Sequence, residues 1–417
     1  MNQIYDANYL YRASLRAKQG SSWKPEVQSY MYHWLFNVTA LQHELEDRTY
    51  QDSIGSTFIL KERGHERLIV GKRMRDRVVR HSLCDNVLTP AIEPYLIYAN
   101  CASQIGKGIH LQRQILVKHL RNYYHHHGNE GYILLMDFSK FYDNIRHDRS
   151  LEMLDDIVAD EYALWLTAKI FEGFQVDVSY MTEEEFARCI DVKFNSVAYW
   201  DSIDPSLRTG EKMMPKSNDI GDQTSQVTSV FYPHRIDNYV KIVCGKRYYG
   251  RYMDDSYLIA ETKEELLEVY AGIRSIAEEL GIFINEKKTR IVKLSDGFRF
   301  LQVKYILTDT GKVIQRINPK RITAMRRKLR KLADKVHAGE REYEDIENMF
   351  KSWMGSHHKL MDKSQIQGMN DLFNKLFGSR LEYRHGKYTS YHPSGRRDRD
   401  PGHPQRKQLY NRSGYQR

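Results

Sequence analysis

Three carboxylates stand out by type and by setting. Residues 131–137 (GYILLMD) are an apolar run ending in Asp137. A run of that kind reads as a strand buried on both faces. Asp254 and Asp255 lie at the centre of RYYGRYMDDSYLIA (247–260), which is apolar on both sides and reads as a hairpin with the acids near its tip. A carboxylate buried alone is costly, so acids at strand ends stay wet, pair with a cation or hold a metal. If the two elements are neighbours in one sheet, three acids converge and repel one another unless divalent cations lie between them. Two Mg²⁺ ions about 3.5–4 Å apart, bridged by carboxylate, are the arrangement for in-line phosphoryl transfer. One ion lowers the pKa of an attacking hydroxyl; the other stabilises the leaving oxygen and holds a triphosphate. Taken singly, each acid also reads as a turn residue or a solvated loop pair. The Tyr-Met-Asp-Asp tetrad between apolar strands is more specific. It gains from an apolar strand ending in Asp137 with an aromatic, Tyr142, five residues on.

Other polar clusters read more weakly. The Gly106-Lys107-Gly108 turn has the shape to approach a phosphate. The His125-His126-His127 run cannot turn all three rings to one ion on regular structure, and is expected in an exposed loop beside Gly128. From Ile317 to Lys335 eight Lys or Arg face a single acid, Asp334. Such a face suits the phosphates of a duplex or structured RNA, with a strong salt dependence.

The elements that must position these groups follow from periodicity. Residues 5–50 read as helices broken at Gly20-Ser21-Ser22, and 56–72 as two strands around a turn centred on Gly64. Residues 74–98 are helical in spacing, with Pro90 and Pro94 as interruptions. The clearest helix is 262–280, where Thr262 and Glu265 form a capping box. Asn318 and Pro319 open the basic amphipathic helix, and further helix extends to about Phe377. Residues 381–417 lose periodicity and carry nine Lys or Arg against three acids, a basic flexible tail. Residues 175–215 have weak patterning and receive no role.

Composition bounds the class. The 417 residues suit two or three domains, carry a net charge of +10 and are 12% aromatic, a balance that fits a polyanionic partner. No stretch approaches the roughly 20 apolar residues of a membrane span, and the polar start MNQIYDANYL is not a signal peptide. The four cysteines form no CxxC pair, which argues against a zinc site or a disulfide framework and fits a reducing cytoplasm.

In this setting the sequence resembles the reverse transcriptases, in order from about residue 5 to about residue 378. YILLMDFSKFYDNIRH and RYMDDSYLI resemble the two catalytic segments of that family. GIFINEKKT resembles the segment with a Lys near the triphosphate. FRFLQVKY resembles the primer-contacting hairpin, with Gln302 where Gly is usual. STFILKERGHERLI with KRMRDRVVRHSL resembles the fingers, SQIGKGIH the template-side segment, and SWMGSHHK a thumb block. IGDQTSQ (220–226), with an aliphatic residue before Gly and then Ser-Gln, resembles the branch found in diversity-generating retroelements; Asp219 stands where Pro is usual.

The resemblance implies an α+β right-hand polymerase with fingers, a palm whose antiparallel sheet has helices on one face, and a helical thumb. Residues 1–50 would be an N-terminal helical region, 51–130 fingers, 131–310 palm, 311–380 thumb and 381–417 the tail. It implies RNA-directed DNA polymerisation with two Mg²⁺, Mn²⁺ substituting, held by Asp137, Asp254, Asp255 and the carbonyl of Phe138. Lys288 would be a catalytic acid. Lys61 and Arg67 would hold the triphosphate, Tyr142 would be a steric gate against a ribose 2′-hydroxyl, and Ile220, Gly221 and Gln226 would line the nucleotide site. Lys107, Phe300, Leu301, Lys320, Arg321, Arg326 and Arg327 would meet primer and template. Partners implied are dNTPs, template RNA, a primer strand, the RNA–DNA duplex and a small basic accessory protein, with no membrane. The expected setting is cytoplasmic, in a bacterium or phage, and copying is expected to be of low fidelity at template adenines. An antiviral-defence or group II intron-type enzyme, and an inactive RNA-binding module of this fold, remain open.

Overall fold

The computed structural model describes residues 2–391 apart from residues 54, 63, 64 and 385. The chain divides into two units, Met1–Asp296 with Leu307–Lys312, and Gly297–Ile306 with Val313–Arg417.

The first unit opens with α1 (Ala7–Ala17), α2 (Pro25–Tyr32) and α3 (Trp34–Glu46). The Asp6 side chain caps α1 by accepting from the Asn8 amide, and Pro25 starts α2, where its missing N–H leaves no bond unmade. A hairpin follows, β1 (Ser56–Glu62) and β2 (His65–Gly71), paired antiparallel; its Gly64 turn lies outside the described residues. Next, α4 (Met74–Leu83) runs through a π-helical turn at Cys84–Leu88 into α5 (Thr89–Ile92). Pro90 thus lies in the first turn of a short helix, where it breaks nothing. Then come α6 (Ile109–His127), β3 (Tyr132–Asp137), α7 (His147–Asp155) and α8 (Glu161–Glu172). Leu10, Leu45, Val79, Leu83, Leu166 and Ile170 join the early helices and α8 in one core.

A small subdomain follows: β4 (Val176–Asp177), α9 (Glu183–Asp191), α10 (Ser196–Ser202) and β5 (Met213–Met214), with β4 paired to β5. Val178, Cys189, Phe194 and Met214 give it a core of its own. Its elements are too short for periodicity to reveal. The unit closes with α11 (Gln223–Phe231), α12 (His234–Asn238), β6 (Tyr249–Tyr252), β7 (Asp255–Ala260), α13 (Lys263–Glu279) and β8 (Arg290–Lys293).

The central sheet has the order β6-β7-β3-β8 and is antiparallel throughout. Leu134, Met136 and Leu258 on one face pack with Leu266, Val269 and Ile273 of α13. The expectation of helices on one face only is corrected. On the other face α6 covers the sheet, with Tyr257 Oη and His119 Nδ1 2.9 Å apart. The reason is β3 itself, with Ile133, Leu134, Leu135 and Met136 all buried, so both faces need cover. Gly250 lets α6 come close: a Cβ there would lie 2.7 Å from Gln112 Nε2. The His125–His127 run is likewise corrected from loop to the last turn of α6, where His127 stacks on Tyr123. Thr262 caps α13 by accepting from Glu265 N, but Glu265 pairs with Lys246 at 2.5 Å rather than completing a capping box.

The second unit holds a sheet of β9 (Phe298–Phe300), β10 (Val303–Leu307) and β11 (Val313–Ile317). Helices α14 (Pro319–His337), α15 (Tyr343–His357) and α16 (Lys363–Phe377) follow, then the hairpin β12 (Arg380–Arg384) and β13 (Lys387–Tyr391). The Asn318 cap and Pro319 start of α14 are as the sequence suggests. Leu381–Arg384 and Lys387–Tyr391, assigned from composition to a flexible tail, lie in that hairpin instead. Leu381 and Tyr388 are buried, two apolar positions too few to register as a pattern. Residues 392–417 lie outside the described residues.

Two expected results arise here. Leu301 and Gln302 form the two-residue turn of β9–β10, at φ 45° and 68°. That geometry favours glycine, the residue usual at 302 in the resemblance. Gln302→Gly should therefore raise stability by about 0.5–1 kcal/mol in urea denaturation; no gain would contradict the strain.

The second concerns His147, 4% exposed, with Nε2 2.7 Å from the Ser217 carbonyl. Burial pushes its pKa down from 6.5 to about 4, the hydrogen bond offsetting this only in part. The unfolded chain thus takes up a proton that the folded chain refuses between these values. Stability should fall as pH drops below 6.5, by about 2 kcal/mol at pH 5 from this group. His147→Gln should flatten the urea midpoint between pH 7 and 5, and an equal pH dependence in the variant would refute the assignment.

Candidate active site

Asp137 ends β3 directly opposite Asp255 of β7. The two-residue turn Met253-Asp254 links β6 to β7, with Met253 at φ 55°, a strained value for a side chain of its size. The Phe138 amide donates to the Asp254 carbonyl at 3.3 Å, so the strand end and the hairpin tip touch through backbone. On the other side the Asn285 amide donates to the Asp137 carbonyl at 2.8 Å, and Asn285 Nδ2 to Asp137 Oδ1 at 2.9 Å. Lys288 Nζ lies 2.8 Å from Asp137 Oδ2.

The acids feel one another. Burial, then the charge of Asp137, pushes Asp254 up to about 6. Burial, then Asp254 and Asp137, pushes Asp255 up to about 7. Burial disfavours the Lys288 ammonium, but its bond to Asp137 wins and raises its pKa. This cluster is short of positive charge.

A cavity of about 590 Å³ opens on it. Asp137, Phe138, Asp254, Asn285 and Lys288 line its acidic end; Arg67 and Leu68 of β2, Tyr142, Ile220, Gly221 and Gln226 line the rest. Tyr142 leans on the hairpin tip, its hydroxyl 3.9 Å from Met253 Sδ, while Phe141 is core, 5% exposed and packed on Phe138. Gly221 has φ 98°, a conformation that favours glycine. The Ile220-Gly221 pair is clamped on both flanks. Asp219, at the place where Pro is usual, pairs with Lys72 at 2.9 Å; Asp222 pairs with Arg80 at 2.6 Å and caps α11.

Not every expected residue arrives. Lys61 pairs with Glu66 across the hairpin at 2.7 Å and does not line the cavity. Lys107 lies over the Tyr98 ring, 5.4 Å from its centroid, and is also absent from the lining. In the second unit Phe300 and Leu301 are buried. Lys320 and Arg327 are exposed on α14, whereas Arg321 meets His357 at 3.0 Å and Arg326 reaches Gly368 of α16. Sequence reasoning missed Asn285, although it lies in the GIFINEKKT segment, and missed Arg251, fully buried against Asp237.

The sequence model of the family described as reverse transcriptase (RNA-dependent DNA polymerase) matches residues 59–305, more than half of the chain and every residue that lines this cavity. The chain belongs to the reverse transcriptase family. No curated protein matches it. As a reverse transcriptase it is an RNA-directed DNA polymerase, a nucleotidyltransferase whose substrates are a template with its primer and dNTPs. Enzymes of the family generally use divalent ions such as Mg²⁺. Among the described residues no three His, Cys, Asp or Glu side chains stand close enough to hold an ion. The donor set nonetheless fits: hard carboxylate oxygens, mutually repelling, with the Lys288 ammonium on Asp137 where a cation is wanted. Among the described residues no helix of this reverse transcriptase is long and apolar enough to cross a membrane.

Proposed function

We propose that this reverse transcriptase extends a primer 3′-hydroxyl in the cavity between Asp137, Arg67 and Ile220, on a retroelement template RNA. The observation that carries the reading is the joint presence of Asp137 and Asp254 with Arg67 and Tyr142 in one cavity lining. Asp137, Asp254 and Asp255, with the Phe138 carbonyl, are the oxygen donors for two Mg²⁺. Two Mg²⁺ held there, or Mn²⁺ in their place, would supply the charge that lowers the pKa of the primer hydroxyl and offsets that of the triphosphate. Arg67 binds phosphate oxygens with its planar fork. Lys288, held above its ordinary pKa by Asp137, is the proton donor to pyrophosphate. The Tyr142 ring fills the space of a ribose 2′-hydroxyl. Fingers, palm and thumb correspond to the β1–β2 hairpin region, the central sheet and the helices of the second unit. Exposed Lys320 and Arg327 hold duplex phosphates there. A small basic accessory protein and a structured template RNA complete the assembly.

Ile220 supports the retroelement branch. It turns hydrocarbon to the nucleotide where a Gln offers a polar contact sensitive to pairing. Such a contact is worth about 0.5–1.5 kcal/mol, hence a several-fold loss of selectivity without it. Ile220→Gln should lower the fraction of errors opposite template adenines while keeping activity. Sequencing cDNA made by both enzymes on one template checks this; an unchanged adenine fraction with lower stability would make Ile220 a packing residue.

A further inference from the structure

The subdomain over residues 176–214 has no part in the reading above. Yet it holds the turn that carries Tyr142. Tyr142–Asn144 form a single 3₁₀ turn after β3. The carboxylate of Asp143 accepts from Ser196 Oγ at 2.8 Å and from Ser196 N at 3.3 Å. Asn144 Oδ1 accepts from Phe194 N at 2.7 Å, and Asn144 Nδ2 donates to the Phe194 carbonyl at 3.1 Å. Asp143, Asn144 and Ser196 are 8%, 3% and 4% exposed, so these bonds are made away from water, where leaving them unmade is costly. Phe194 is anchored in turn, buried and stacked on Tyr199 at 4.8 Å. Val197, next to Ser196, lines the same cavity as Tyr142. Tyr142 itself is held from elsewhere by a backbone bond, Asn218 N to its carbonyl at 2.9 Å.

We propose that Ser196, acting through Asp143 with the Phe194–Asn144 pair beside it, is a positioning residue for Tyr142. The subdomain thereby sets how strictly the enzyme rejects ribonucleotides. A gate works by steric exclusion, so a small displacement of its ring admits the extra hydroxyl without blocking the deoxynucleotide. Loosening the 142–144 turn should therefore cost selectivity before it costs rate. The inference rests on Tyr142 being the sugar gate, and the experiment separates the two.

The test measures kcat and KM for dNTP and rNTP incorporation by wild type and four variants. Ser196→Ala removes the hydroxyl bond to Asp143. It should lower the dNTP-over-rNTP ratio of kcat/KM about fivefold, chiefly through a smaller KM for rNTP, with dNTP kcat held within about twofold. Ser196→Thr keeps the hydroxyl and should restore the ratio. Ser179→Ala removes a comparable bond within the subdomain, to Asp177 at 2.5 Å, and should leave the ratio unchanged. Tyr142→Ala should admit rNTPs outright. If Ser196→Ala does not fold, Ser196→Cys, a weaker donor of similar size, takes its place. An unchanged ratio in the Ser196 variant, while Tyr142→Ala admits rNTPs, overturns the positioning role. An equal loss in Ser179→Ala overturns it too, by making the effect one of general loosening. Continued rejection of rNTPs by Tyr142→Ala overturns the gate reading.

Discussion

Asp254→Asn should stop primer extension while leaving the protein folded, and if anything slightly more stable. The side chain keeps its shape and loses its charge. Losing an anionic ligand should remove several kcal/mol of transition-state stabilisation, a fall of about 10³-fold or more in single-turnover rate. Stability should move the other way because burial and Asp137 both disfavour the Asp254 carboxylate. Asp137→Asn should be equally inactive but not stabilised, since Lys288 loses its partner. Thermal melting beside rapid-quench extension separates the effects. Extension by Asp254→Asn within a few-fold of wild type would remove the acid from the chemistry.

The second large effect is expected at Arg251, which opens the RYMDDSYLI segment but receives no role from the sequence. Its Nε and Nη2 donate to the two carboxylate oxygens of Asp237 at 2.8 and 2.7 Å, and neither side chain is exposed. Nη2 also donates to the Val230 carbonyl, and Nη1 to the Met253 carbonyl at 3.0 Å. One buried guanidinium thus fastens α12 and the tip of the catalytic hairpin. Arg251→Leu leaves the buried Asp237 carboxylate with the Tyr249 hydroxyl but without its counter-charge, and should cost about 3–5 kcal/mol in urea denaturation. The double variant Arg251→Leu with Asp237→Leu removes the orphaned charge and should regain most of that stability. It should not regain activity, because the Met253 carbonyl still lacks its donor. A double variant as unstable as the single would show that the ion pair is not the source. One with full activity would show that Arg251 does not position the hairpin tip.

What was legible in the sequence was what local patterning carries. The apolar run into Asp137, the hairpin around Asp254 and the stripes of α13 and α14 are short-range signals. Asp137 and Asp254 meet in one cavity because those elements fold as their patterns suggest; Arg67, Tyr142 and Ile220, given roles by the resemblance, line the same cavity. The supports were not legible. Arg80 and Asp222 are 142 residues apart, and a charge in a helix looks the same whether it faces water or a buried acid. The Lys61 pairing was hidden for a related reason: only the register of the hairpin brings Glu66 across from it. The 176–214 subdomain hides behind two-residue strands and seven- to nine-residue helices, too short for a period to emerge. Covering helices on both faces of the sheet were implied by β3, whose every position is apolar up to Asp137, against the one-sided arrangement that the resemblance implies.

The most direct measurement is extension of a labelled DNA primer on an RNA template by the wild-type chain, with Mg²⁺ present, chelated by EDTA and then restored in excess. The expected result is complementary DNA that grows with Mg²⁺, halts on chelation and resumes on restoration. Extension that continues in EDTA, or no dNTP incorporation on RNA with either Mg²⁺ or Mn²⁺, would contradict the assignment of RNA-templated synthesis to the Asp137–Asp254 cavity.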